Sequence, residues 1–112
     1  MTVRCTREGQ STGADAEVRD LSTHGIGVYL QGPVQKGDRL VFELPLLTDG
    51  TWIQEAVLGE VVWVVPRGEK GEYYAGIYID QMQKTHPRLF AHLRHLEDAI
   101  TLPDEYWEER AE

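Results

Sequence analysis

A single cysteine, Cys5, in 112 residues leaves no partner for an intramolecular disulfide and too few thiols for a Cys-based zinc cage, which agrees with a reducing compartment. Long apolar runs are missing as well. The longest, Val61 to Val65, is far short of the roughly 20 residues that span a bilayer, so no membrane insertion is expected. Met1 to Gln10 carries Arg4, Arg7 and Glu8 around no apolar stretch; a secretory signal is therefore not expected, and the chain is placed in the cytoplasm. Basic side chains are scarce, 11 against 19 acidic ones, for a net charge of -8. That balance argues against a DNA or RNA binder, whose affinity would come from phosphate neutralisation. The distribution is uneven. Residues 97–112 hold seven acids and one base, so the tail carries -6 and the body only -2. A small anion could still find a basic spot near Arg4, Arg7 and Arg19.

What is present is period-2 alternation. Val3 to Glu8 and Ala16 to Leu21 read as strands separated by a turn at Gly9, Ser11 and Gly13. Ile26, Val28 and Leu30 share one face, as do Leu40, Phe42, Leu44 and Leu46. Thr48, Asp49 and Gly50 supply turn chemistry, and Trp52 to Val65 is a longer strand segment. After a polar loop at residues 66–71, Tyr73 to Asp80 sets Ala75, Ile77 and Ile79 opposite Tyr74, Gly76 and Tyr78. The period then changes. Leu89, Leu93, Leu96 and Ile100 form the stripe of an amphipathic helix opening near Pro87, placed to cap the strands. About six strands followed by a helix, without βαβ alternation, imply an antiparallel sheet curled into a barrel or sandwich. One domain over 1–100 and an acidic tail or short helix over 101–112 are the expected division.

The most informative segment runs from Val18 to Val28. An Asp-x-Ser pair followed by glycine is a good corner, because short oxygen side chains bond the backbone two residues on. The same groups also suit a planar, hydrogen-bonding anion: Asp20 could accept from a base, Ser22 could donate to a phosphate, and Gly25 lets a flat ring approach the backbone. Both readings stand on the residues alone.

Asp20-Leu-Ser22-x-x-Gly25, followed by Ile26-Gly-Val28-Tyr-Leu30, resembles the Asp/Asn-x-Ser-x-x-Gly motif of the PilZ domain. Gly37-Asp-Arg-Leu40-Val-Phe-Glu-Leu44, Gly59-Glu-Val-Val-Trp63 and Tyr74-Ala-Gly76-Ile-Tyr-Ile79 follow in family order, ahead of the helix. The resemblance implies a six-stranded antiparallel β-barrel with a carboxy-terminal helix, in bacterial signalling proteins that commonly bind cyclic di-GMP. Binding members also carry an Arg-x-x-x-Arg element ahead of the first strand, and this chain has none. Arg4 and Arg7 are one residue short of that spacing, and in an extended strand they would face opposite sides. Two charge-assisted contacts of about 1.5 to 3 kcal/mol each are then missing, roughly two to four decades in affinity. Arg19 is the substitute cation beside the motif.

The expected reading is a non-enzymatic PilZ-type adaptor with an incomplete cyclic di-GMP site formed from Asp20, Ser22, Gly25, Arg19, Arg4 and Arg7. A working cyclic di-GMP receptor that uses the Asp-x-Ser-x-x-Gly turn with a non-standard arginine is the alternative. No cofactor is expected. Asp20, Ser22 and His24 sit too close on one turn to make a hydrolase triad. His92 and His95, with His86 nearby, lack a carboxylate on their face and read as surface residues rather than metal ligands. Trp63 and Phe42 read as core. Trp52, Tyr73, Tyr74 and Tyr78 would form an exposed aromatic patch if several share an outer face. Tyr106 and Trp107, set among acids, are candidate contacts for a protein partner.

Overall fold

The computed structural model describes residues 1–68 and 71–94, and the helical backbone of 95–99. The strands are β1 (Thr2–Arg7), β2 (Gly13–Leu21), β3 (Gly25–Gln31), β4 (Arg39–Thr48), β5 (Thr51–Arg67) and β6 (Glu72–Tyr78), followed by the helices α1 (Met82–Thr85) and α2 (Pro87–Ala99). Every pairing is antiparallel, and the sheet closes on itself in the order β1-β2-β3-β6-β5-β4. The six-stranded barrel with its carboxy-terminal helix is therefore the fold.

Alternation decides what lies inside. Ile26, Val28, Phe42, Val57, Val61, Ala75 and Ile77 are fully buried, and Leu89 and Leu93 of α2 join the same cluster. The two leucines are four residues apart, on one face of the helix, which places α2 as a lid on the barrel core. The β4–β5 turn fits its sequence. Asp49 and Gly50 both take positive φ, 51° and 78°, between the paired Thr48 and Thr51, as a two-residue hairpin of the primed kind requires.

Two bulges shift the alternation. On β2, Val18 pairs with Val28 and Asp20 with the adjacent Gly27, leaving Arg19 as the extra residue. On β5, Val61 pairs with Ile77 and Trp63 with the adjacent Gly76, leaving Val62 extra. A bulge adds one residue to one strand and re-aims the side chains beyond it. Trp63 is consequently not core. It leaves the inward phase set by Val57, Gly59 and Val61 and lies half-buried on the outer face. Phe42, with no bulge before it, is buried as expected.

The domain boundary at 100, the tail, Tyr106, Trp107, Ile100 and the side chains of His95 and Leu96 lie outside what is described. No described helix is long and apolar enough to cross a membrane.

Candidate functional site

The two bulges aim one outer face of the barrel. Across β2, β3, β6 and β5 runs a row of paired residues, Asp20, Gly27, Gly76 and Trp63. Beside it runs a second row, Glu17, Tyr29, Tyr74 and Val65. The glycines make the first row a trough, and side chains of this chain fill it. The Tyr74 hydroxyl donates to Asp20 Oδ2 at 2.6 Å. A Cβ on Gly27 would stand 2.8 Å from that hydroxyl, and a Cβ on Gly76 would run into the Trp63 indole. Both glycines are required by close approach. Tyr29 tilts against Tyr74 at 4.6 Å between centroids, and Trp63 meets Tyr74 edge-on at 5.1 Å.

Cations border this aromatic cluster. The Arg67 guanidinium lies 4.1 Å from the Tyr29 ring centroid and the Arg19 guanidinium 5.6 Å from it. Arg67 also bridges Glu72 at 3.4 Å. Arg19 is the one motif-side cation from the sequence reading that reaches this face. Arg67, a loop-end arginine 47 positions from Asp20, carries no local signal in the sequence; only the β5–β6 and β3–β6 registers bring it in.

The other expected site residues divide. Ser22 is almost fully buried and turns the chain: its N–H donates to the Gly25 carbonyl at 3.0 Å, and its Oγ accepts from the His24 N–H at 3.1 Å. Gly25 packs on the Ile77 carbonyl, where any side chain would collide. Arg4 is exposed on β1, opposite Asp15 and Glu43. Arg7 points to the end of the barrel, where it donates to Asp38 Oδ2 at 2.9 Å and to the Pro33 carbonyl at 2.7 Å. The Gln35 N–H, and then this guanidinium, hold the Asp38 carboxyl below the usual range. Arg7 lines a 200 Å³ hollow with Cys5, Thr12 and Val34, and that hollow includes none of Asp20, Ser22 or Arg19. Burial pushes the Cys5 thiol up to about 11, against a smaller opposing effect of Arg7.

Of the four unsettled aromatics, Tyr74 and Tyr78 face outward and Tyr73 packs against the core. Trp52 stands apart at the other end of β5, beside Leu47. His92 is exposed, but His86 is half-buried with Nδ1 3.8 Å from Glu55 Oε2, rather than a surface residue. No metal-ligating cluster occurs among the described residues.

Comparison with known families agrees with this architecture. The PilZ domain model matches residues 1–96, so the chain belongs to the PilZ family, whose members are non-enzymatic signalling domains associated with cyclic di-GMP binding. No curated protein matches it.

Proposed function

We propose that this PilZ domain works in the bacterial cytoplasm as a protein-binding adaptor whose cyclic di-GMP site is incomplete. One observation carries the reading: the motif's polar groups are already used within the fold. Asp20 accepts the Tyr74 hydroxyl, and Ser22 Oγ closes its own turn. Arg7, one of the two arginines of β1, is bound to Asp38 and Pro33. A doubly charged dinucleotide would have to displace the tyrosine, and Arg4 and Arg7, turned to other parts of the barrel, offer it no paired clamp. Contact with a protein then falls to the exposed surfaces and to the acidic segment bearing Tyr106 and Trp107.

A specific observation favours the receptor as second reading. Arg19 and Arg67 flank Tyr29 next to Asp20, and a guanidinium pair on that side could meet a phosphodiester. Calorimetric titration with cyclic di-GMP separates the two. The adaptor reading expects no saturable heat up to about 100 μM ligand. Saturation at low micromolar ligand, lost in Asp20→Ala and in Arg67→Ala, would establish the receptor instead.

A further inference from the structure

The barrel is closed, yet one strand outruns it. β5 pairs with β4 from Thr51 onward, whereas its pairing with β6 starts only at Glu60. Residues 51–59 therefore have a strand on one side and none on the other among the described residues. The opposite edge of this two-stranded ribbon is guarded. β4 pairs with β1 only over residues 40–43, and beyond them comes Pro45, which has no N–H to offer an incoming strand. The β5 edge has no such guard. Thr51-Trp-Ile-Gln-Glu-Ala-Val57 contains neither proline nor lysine, the devices that normally blunt an edge, and it is rich in β-formers. Its outer face has an apolar tip: Trp52 is 69% exposed and its cross-strand partner Leu47 47%.

Charge selects the occupant. Where β6 leaves β5, a groove of about 450 Å³ lies at the root of the ribbon, lined by Arg39, Leu58, Glu60, Tyr78, Asp80 and His86, among others. The Arg39 guanidinium is already bridged by Glu8 at 3.0 Å, and His86 faces Glu55. Arg39 stands opposite Glu60 in register but its guanidinium is turned to Glu8, and neither Glu60 nor Asp80 is in an ion pair among the described residues, so the groove has acids to spare. The ribbon from Leu44 to Leu58 itself holds two acids, Asp49 and Glu55, and no base. A second copy pairing along this edge would bring acids to an acidic groove, and the chain's own tail, at -6, is repelled in the same way.

We infer that the free edge of β5 is a docking site for an extended segment of a partner protein. That segment adds a strand along Thr51–Leu58, sets apolar side chains beside Trp52 and Ala56, and delivers a lysine or arginine to Glu60 and Asp80. Main-chain hydrogen bonds would supply the register and the groove its polarity. The inference adds a place and a chemistry to the adaptor reading and uses none of the Asp20 face, so nucleotide binding would sink that reading and leave this one standing.

The test uses the full chain labelled with 15N and a nine-residue peptide that, as a strand, carries on one face valines to lie beside Trp52 and Ala56 and lysines at the end that reaches Glu60, with threonines on the other face. Saturable amide shifts confined to residues 51–60, with slowed exchange of the 51–58 amides, are expected. Three changes should each weaken the effect at least tenfold: glutamate in place of the peptide lysines, methylation of alternate peptide amides, and the surface double variant Glu60→Lys/Asp80→Lys. Undiminished binding by the methylated peptide would mean electrostatic contact without strand addition and would overturn the proposal. So would shifts elsewhere, the absence of shifts at 51–58, or concentration-dependent shifts there without peptide, which would make a second copy the occupant.

Discussion

The hydroxyl of Tyr74 and the carboxylate of Asp20, 54 positions apart, meet at 2.6 Å on the outer face. A hydrogen bond to a charged acceptor is worth about 1.5 to 3 kcal/mol when shielded and less when partly wet. Tyr74→Phe should therefore cost about 1 to 2 kcal/mol in urea unfolding, and Asp20→Asn a similar amount. In a double-mutant cycle the two losses should not add, since they remove one interaction; full additivity would mean that the pair contributes nothing. Two other residues tie stability to pH. Cys5 has its thiol pKa raised from 9.0 to about 11 by burial, so the unfolded chain loses this proton first as pH rises, and stability should fall from about pH 9 toward pH 11. Cys5→Ala should flatten that limb, and the native thiol should react with iodoacetamide far more slowly at pH 8 than it does in urea. Asp38 has the opposite sign. Its pKa is held below 3.8, so its contribution is present above that pH and is lost as pH falls through the folded value; Asp38→Asn should reduce the slope of the acid limb measured by circular dichroism.

At the scale of elements, the alternation of Ile26, Val28 and Leu30, of Leu40 to Leu46, and of Ala75 to Ile79 places each of those side chains correctly inside. Leu89 and Leu93 do the same for α2. What alternation cannot disclose is a bulge, because the extra residue has no chemical mark: Arg19 and Val62 are ordinary strand residues. Trp63 therefore reads as core, although it rests on Gly76 outside. The same limit hides most of the candidate site. Asp20, Ser22 and Gly25 are legible because they form one local turn, whereas Tyr29, Tyr74 and Arg67 meet only through registers between distant strands. Gly76→Ala tests the arrangement. A methyl there cannot coexist with the Trp63 ring, so the variant should lose about 1 to 3 kcal/mol and shift the tryptophan emission. Pairing it with Trp63→Ala should recover part of the loss, because the indole is then gone. Leu93→Ala, by contrast, opens a cavity under the helix and should cost about 2 to 5 kcal/mol.

For the whole molecule, the deciding quantity is where charge sits relative to the core. Every buried hydrophobic residue described lies between Val3 and Leu93, and the concentrated acidity begins only at Glu97. The segment 101–112 contributes five acids and one base, so its removal changes the net charge from -8 to -4 and takes away none of those buried residues. A chain ending at residue 100 should unfold as cooperatively as the full one and match its stability within about 0.5 kcal/mol at 0.15 M salt. The two should diverge when salt is removed. At about 0.01 M the screening length is roughly 30 Å, comparable with the barrel itself, so the acids of the full chain repel one another and the acidic body across the molecule. Its urea midpoint should fall more on going to low salt than that of the shortened chain. Should the shortened chain instead lose more than about 2 kcal/mol at 0.15 M salt, residues 101–112 would belong to the packed unit, and Tyr106 and Trp107 would be structural rather than available to a partner.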